Sequence, residues 1–259
     1  MINADASQLY ADLRVLSARP STADEARVPH RLYGVRDGAH ASSAAEWATM
    51  AKDEIAAAHA AGRLPVLVGG TGLYLRVLLD GIAPVPPIDP HVRAAVRALP
   101  SLDAYGALAL VDATAATRLD PADRQRVARA LEVVRSTGRT LGDWQRAAMG
   151  GIAGAVTLRA LVVETDAATL AGRIEARLAA MVDAGARDEV AALLARGLDA
   201  ALPVMKAVGV RPFAAYLRGA IGLAQAVALA AAQTRQYARR QRTWFRNQTP
   251  GWERVVGEQ

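Results

Sequence analysis

LPVLVGGTGLYL, residues 64–75, decides the fold class of this chain. Its first half is a short apolar run that ends at Val68, as is typical of a strand. The glycine turn of residues 69–72 follows and leads into LYLRVLLDG, a pattern with helical spacing. Another helical pattern precedes the strand, over residues 44–61. The order helix, strand, turn, helix predicts an α/β sheet with parallel strands.

Further segments extend this pattern on both sides. Residues Ile2 to Asp5 have the composition of the end of a buried strand, and TLRALVV, residues 157–163, is the next clear strand. After it the periodicity predicts four helices. They span residues 167–182, 185–196, 210–218 and 221–246.

The segment of residues 84–149 does not continue the pattern of alternating strands and helices. PVPPIDP, residues 84–90, has too many prolines for a helix interior or a central strand. Residues 91–149 have helical periodicity throughout, with a break at Asp120-Pro121. We therefore predict an all-helical insertion in the α/β core. The insertion domain spans residues 88–150, and the core with its C-terminal helices spans residues 1–87 and 151–259.

Composition narrows the class of protein. The chain has 259 residues, of which 52% are hydrophobic, so it can bury a sizeable core. The absence of cysteine excludes disulfides and thiolate metal sites and is compatible with a reducing cytoplasm. MINADASQLY does not resemble a secretory signal. The longest apolar stretch, residues 219–232, is too short to span a bilayer. We expect a cytoplasmic protein with no membrane partner.

The positive charge is concentrated near the C-terminus. The net charge is +6, and residues 206–259 contain nine basic and two acidic residues. Within this region, RQYARRQRTWFRN, residues 235–247, places cations on one helical face and aromatic and polar residues on the next. The first face consists of Arg235, Arg239, Arg242 and Arg246. The second consists of Tyr237, Arg240, Gln241 and Trp244. Such a helix suits RNA, but a solvated arginine helix with its tryptophan in the core fits as well.

Other candidate residues are ambiguous when taken singly. Arg126 and Arg129 lie one turn apart in the predicted insert, which is also common for surface charge. Thr71 lies in a glycine turn that can approach a phosphate closely, or that merely joins strand to helix. Asp5 follows a strand and is placed as a general base or as a helix cap. The four histidines lack metal-ligand spacing.

Taken together and in order, these segments resemble one family. NADASQLY, PHRLYGVRD, LPVLVGGTGLYL, DRQRVARALEV, KAVGVR and TRQYARRQRTWFRN follow the pattern of a tRNA dimethylallyltransferase, also called tRNA isopentenyltransferase, over residues 1–248. The resemblance implies a core like that of the P-loop NTPases, in which the first strand and the P-loop are missing here, with a helical insertion. It also implies transfer of a dimethylallyl group from dimethylallyl diphosphate to N6 of adenosine 37, next to the anticodon of tRNA.

The resemblance also implies roles for particular residues. Asp5 would accept the N6 proton, Thr71 would lie near the diphosphate, and Arg211 and Arg235 would bind it together with Mg²⁺. The anticodon stem-loop would contact four segments of what we expect to be a monomer. Their residues are Asp5, Ala6, Ser7, Gln8, Gln125, Arg126, Val127, Ala128, Arg129, Lys206, Arg211, Arg239, Arg240, Gln241, Arg242, Trp244 and Arg246.

The chain departs from the family pattern in two places. Ala6 replaces the serine that usually follows the aspartate, which removes one hydroxyl group. The family also has a strand, a Walker A loop and a helix ahead of NADASQLY, a unit of about thirty residues. Two explanations stay open. Met1 is an internal start of a longer enzyme, or the chain is shortened and transfers poorly or not at all.

Two other functions remain possible from the sequence. The first is a non-catalytic tRNA-binding remnant of the family. The second is transfer to free adenine nucleotides, against which the broad cationic surface argues.

Overall fold

The computed structural model describes residues 1–257, which form short strands and twelve α-helices. The strands are Ile2–Asn3 (β1), Leu67–Val68 (β2), Gly81–Ile82 (β3), Met149–Gly150 (β4), Leu161–Glu164 (β5) and Glu253–Val256 (β6). The first eight helices are Thr22–Arg27 (α1), Ala44–Ala60 (α2), Gly72–Asp80 (α3), Pro90–Ala98 (α4), Ser101–Val111 (α5), Ala113–Arg118 (α6), Arg124–Thr137 (α7) and Leu141–Arg146 (α8). The last four are Ala167–Asp183 (α9), Ala186–Ala195 (α10), Val210–Leu217 (α11) and Leu223–Gln248 (α12), and Val204–Lys206 forms a 3₁₀ turn.

The order of elements in LPVLVGGTGLYL is as predicted, but its strand is shorter, because β2 contains Leu67–Val68 and residues 64–66 are not strand. β1 and β2 pair in parallel, with Ile2 opposite Leu67 and Asn3 opposite Val68. The glycine turn follows β2 and leads directly into α3. β5 and β6 are also parallel, whereas β3 and β4 are antiparallel. Parallel strands connected by helices confirm the predicted α/β fold class.

The strand predicted at residues 157–163 was placed too early. β5 begins at Leu161, and its parallel partner is β6 rather than β1 or β2. β5 consists of the four residues that pair with Glu253–Val256. Residues 157–160 are not paired with another strand in the described part of the chain. In the described part of the chain the strands therefore form three separate two-stranded pairs.

Helices were easier to locate than strands. The last four predicted helices each agree with α9, α10, α11 and α12 to within two residues at either end. The short helix α1 was missed. It has a capping box at Ser21 and Asp24 but no buried residue, so it carries no apolar periodicity.

The chain divides into two compact units. The first comprises residues 1–78 and 156–257 of the described chain, and its core surrounds Phe213, which is fully buried. The second comprises residues 79–155, within which the predicted insertion 88–150 lies. Its helices α4 to α7 enclose Leu108 and Leu131.

None of the helices within residues 1–257 combines the length and the apolar composition that a membrane span requires.

Candidate active site and RNA-binding surface

Hydrogen bonds fix the conformation of the backbone at the end of β1, where Asp5 lies. Asn3 is completely buried, and its Nδ2 donates to the carbonyl oxygens of Asp5 and Leu32, both at 2.9 Å. The backbone N–H of Asp5 donates to Asn3 Oδ1 at 2.8 Å. The indole Nε1 of Trp47 donates to the Asn3 carbonyl at 2.9 Å. Since two of these bonds are buried and two are partly buried, the backbone that carries the Asp5 carboxyl has little freedom.

Thr71 is joined to the same strand end. Its hydroxyl oxygen accepts from the backbone N–H of Ala6 at 2.9 Å, and its own N–H donates to the Ala4 carbonyl at 3.1 Å. Gly69 makes this approach possible, because a β-carbon there would lie 2.2 Å from the Ala4 backbone and 2.6 Å from the Asp5 nitrogen. The structure thus brings the two predicted catalytic residues together.

A cavity of about 310 Å³ opens beside Asp5. Part of the lining is polar, with Ser7, Gln8 and Tyr237 near the carboxylate, and Arg177 of α9 adds a positive charge. Another part of the lining is apolar, and we call it the apolar wall. It consists of Leu13, Leu16, Leu170, Ile174, Leu178 and Met181. A ligand with an apolar group and a polar reacting centre fits this combination.

Burial raises the pKa of the Asp5 carboxyl. Hydrogen bonds from the backbone N–H groups of Ser7 and Gln8, and the charge of Arg177, act in the opposite direction. The bond from Ser7 to Asp5 Oδ1 is 2.8 Å long. A carboxylate with a raised pKa is a stronger base than one in water, as general base catalysis requires.

Tyrosines surround this carboxylate. Burial raises the pKa values of Tyr33, Tyr74 and Tyr237, and the negative charge of Asp5 raises each further. For Tyr74 the pKa reaches about 12. These phenols are therefore neutral at physiological pH and serve as hydrogen-bonding groups.

Three of the four predicted RNA-contact segments meet at the cavity. Asp5, Ser7 and Gln8 line it, as do residues 207–209 between Lys206 and Arg211, and Gln241 of α12. The fourth segment lies on α7, in the second unit.

Arg211 and Arg235 do not line this cavity. Arg211 is exposed at the start of α11. Arg235 is also exposed and forms an ion pair with Glu175, with a distance of 3.4 Å between Nη1 and Oε1. The cavity contains Arg177 instead, which the sequence analysis missed.

The cationic face of α12, which we define as Arg235, Arg239, Arg242 and Arg246, is exposed along its whole length. Arg242 donates to the Thr165 carbonyl at 3.0 Å. Arg240 lies beside this face and places its guanidinium 5.7 Å from the ring centre of Tyr237.

The predicted RNA-contact segment on α7 contains both exposed and buried residues. Gln125, Arg126 and Arg129 are exposed, and Arg126 pairs with Asp123 at 3.4 Å. Ala128 is partly buried, and Val127 is 1% exposed in the core of the second unit. The Val127 side chain therefore packs in the core and cannot reach RNA in this conformation.

Two further features of the site were missed by sequence reasoning. Ile174, Leu178 and Met181 recur at helical spacing on α9, so that pattern could have indicated an apolar wall with Arg177 beside it. No sequence signal marks Asn3 as the buried residue that fixes Asp5.

Residues 1–257 contain no group of three or more histidine or acidic side chains that could hold a metal ion. Among these described residues, Asp5 is the one carboxylate that lines the cavity. These donors do not fit a divalent cation that is held by the protein alone.

The fold and the cavity together define an α/β enzyme whose site joins a partly buried carboxylate to an apolar wall. Residues 8–248 match the model of the IPP transferase family. The chain is 61% identical over 257 residues to a tRNA dimethylallyltransferase of Sphingopyxis alaskensis, covering 99% of this chain and 84% of that protein. It is 55% identical over 256 residues to the enzyme of the same name from Novosphingobium aromaticivorans, with 98% and 91% covered. The chain belongs to the IPP transferase family, the tRNA dimethylallyltransferases, and the predicted prenyltransferase class is confirmed.

Solved structures agree. The full-length tRNA isopentenylpyrophosphate transferase of Bacillus halodurans superposes with a TM-score of 0.69 at 28% identity, covering 98% of this chain and 80% of that one. A eukaryotic dimethylallyltransferase acting on tRNA gives a TM-score of 0.79 over 94% of this chain and 62% of the other. At 23% identity, this second match supports the fold alone.

Proposed function

We propose that this protein transfers a dimethylallyl group from dimethylallyl diphosphate to N6 of adenosine 37 in tRNA, next to the anticodon. The observation that carries the proposal is the position of Asp5. It follows a strand end that Thr71 holds through the backbone N–H of Ala6, and it lines a cavity whose other lining residues include six apolar side chains.

The acceptor needs a base because an exocyclic amine is a poor nucleophile. As the bond between N6 and C1 of the dimethylallyl group forms, the bond between C1 and the diphosphate oxygen breaks. The diphosphate leaves with that electron pair, and the N6 proton moves to Asp5. Burial raises the pKa of Asp5, which favours this proton transfer.

The donor has an apolar part and an anionic part. The wall formed by α9 and residues 13–16 suits the dimethylallyl group. Arg177 is our first candidate to bind the diphosphate, because it is a cation that lines the cavity. Arg211 and Arg235 remain our sequence-based candidates for the same charge. Mg²⁺ prefers phosphate oxygens to protein cages, so we expect it to arrive with the diphosphate.

The RNA would bind through the exposed cations. The cationic face of α12 is long enough to follow a phosphate backbone, and Lys206 and the exposed residues Gln125, Arg126 and Arg129 are further candidates. The target base must leave its stack to reach the cavity beside Asp5.

A transfer assay tests the proposal. Purified protein is incubated with radiolabelled dimethylallyl diphosphate, Mg²⁺ and either tRNA or AMP, and Asp5→Asn is the matched control. We expect label in tRNA and not in AMP, and a rate about 10²–10⁴-fold lower for Asp5→Asn at nearly unchanged tRNA affinity. Tight, salt-sensitive tRNA binding without transfer would instead identify a binding protein, and preferential labelling of AMP would identify a nucleotide-modifying enzyme.

A further inference from the structure

A carboxylate of α10 holds a loop that lines the cavity. We call residues 13–18 the cavity loop, because four of its residues belong to the lining: Leu13, Leu16, Ser17 and Ala18. The Glu189 carboxylate accepts from three consecutive backbone N–H groups of this loop. Its Oε1 accepts from Arg14 and, at 2.9 Å, from Val15. Its Oε2 accepts from Leu16 at 2.8 Å. Both carboxylate oxygens of Glu189 are therefore bonded to the backbone of the cavity loop.

The helix that carries Glu189 is firmly packed. Val190 and Leu193 of α10 are at most 1% exposed. They belong to the same hydrophobic core cluster as Leu13 and Leu16 of the cavity loop. A partly buried backbone N–H group needs an acceptor, and Glu189 supplies one to each of the three from a rigid helix. Glu189 thus fixes the backbone of the cavity loop relative to the core of the first unit.

Leu16 is restrained at its side chain as well as at its backbone. It is 8% exposed and forms part of the apolar wall. Its side chain lies against Gly209, where a β-carbon would be 2.9 Å from Leu16 Cδ1. Gly209 has a φ of +91°, a conformation that favours glycine, so this space stays open to the leucine. Leu16 therefore gives the apolar wall a fixed limit between Glu189 and Gly209.

We propose that Glu189 is a positioning residue for donor selectivity, which holds Leu16 in place and thereby limits the apolar wall to a short prenyl group. The inference rests on the proposed function, because it takes the cavity to bind the prenyl group of the donor. Geranyl diphosphate is one isoprene unit longer than dimethylallyl diphosphate. Its additional unit would have to displace Leu16, which costs free energy for as long as the cavity loop is held.

A simpler role for Glu189 has to be separated from this one. Glu189 and Asp188 both lie in the first turn of α10, where negative charge stabilises a helix. Asp188 is exposed, whereas Glu189 is partly buried against the cavity loop. Asp188→Asn removes the same charge from the same turn and is the matched control. A change of donor selectivity that is confined to Glu189 variants would therefore come from the loop and not from the helix end.

Donor selectivity is the quantity that tests the proposal. It is measured as the ratio of kcat/KM for dimethylallyl diphosphate to kcat/KM for geranyl diphosphate, with tRNA as the acceptor. Glu189→Gln replaces one carboxylate oxygen by an NH₂ group that cannot accept, so at least one loop N–H loses its partner. We expect the ratio to fall by about tenfold, with KM for tRNA near wild type. Asp188→Asn should leave the ratio unchanged. Glu189→Asp keeps both acceptor oxygens and should lower the ratio less, and it replaces Glu189→Gln if that variant does not fold.

A double-mutant cycle shows whether Glu189 acts through Leu16. Leu16→Ala opens the apolar wall and should lower the ratio by about tenfold or more. Glu189→Gln should then have little further effect in the Leu16→Ala background. An unchanged ratio for either single variant, or effects that multiply in the double variant, would overturn the inference.

Calorimetric binding of the two diphosphates to the same proteins repeats the comparison without any transfer step. We expect wild type to bind dimethylallyl diphosphate more tightly than geranyl diphosphate, and Glu189→Gln to lose about tenfold of this preference. Wild-type protein that shows this preference but transfers nothing to tRNA would contradict the proposed function and leave the inference in place. Absence of binding of either diphosphate to wild type would overturn both.

Discussion

The two sides of α12 meet different surroundings. On one side, Gln241 and Trp244 are held against the glycine turn by a hydrogen bond and a close ring contact. On the other side, Arg239 and Arg246 are exposed. Gln241 and Arg239 are only two residues apart, yet one is hydrogen-bonded to the glycine turn and the other is exposed. Under the proposed function, one helix would link the RNA surface to the elements around Asp5.

The largest effect is expected at Gly69, in the glycine turn against which the packed side of α12 lies. Gly69→Ala would place a methyl group 2.2 Å from the Ala4 backbone, which cannot move without disturbing Asp5. We expect a loss of about 1–3 kcal/mol in the free energy of unfolding, measured by urea denaturation. Gly172→Ala in α9 is the control. It has open space around it and should gain about 0.5–1 kcal/mol. Equal effects at the two sites would show that Gly69 is not confined.

Asp5 gives a second contrast, between a partly buried acid and an exposed one. Burial raises its folded-state pKa, so its contribution to stability is present below its ordinary pKa and lost as pH rises through the raised value. Asp5→Asn should therefore increase stability at neutral pH, and this gain should disappear in acid. Thermal unfolding across the pH range measures the difference.

The matched control, a substitution at Asp166, should change stability in the opposite direction. Asp166 caps α9 by accepting from Ala168 and Thr169, and its bonds to Thr169 lower its pKa. Its contribution is present above its ordinary pKa and lost as pH falls through the lowered value. Asp166→Asn should therefore destabilise the protein at neutral pH and not in acid. A parallel response of both variants would contradict the raised pKa of Asp5.

The smallest effect is expected on the exposed side. Arg239→Gln should weaken tRNA binding by up to about fivefold and reduce the slope of log K against log salt by about 1. Arg239→Lys keeps the charge and should retain the slope. Filter binding at several salt concentrations checks both, and an unchanged slope for Arg239→Gln would mean that this residue does not contact phosphate.

The same contrast explains what could be predicted from sequence. The parallel pairing of β1 with β2 and the course of α9 to α12 follow from local periodicity and from the glycine turn. Asp5 and Thr71 were singled out because each follows a strand, and their predicted catalytic roles came from the family resemblance. Periodicity indicated which residues of α12 share a face, but not which face packs, because Gln241 and Trp244 suit both RNA and a glycine turn. The role of Asn3 and the pairing of β5 with β6 depend on contacts between distant residues, which no local pattern records.

The most direct test of the two-sided helix compares Arg239→Gln with Gln241→Met in one set of measurements. Both the tRNA dissociation constant and the single-turnover transfer rate at saturating tRNA are determined for each variant. We predict that Arg239→Gln changes the dissociation constant and leaves the rate near wild type, whereas Gln241→Met lowers the rate and leaves the dissociation constant within about twofold. If both variants alter the same quantity by similar factors, the two sides of α12 do not have separate roles.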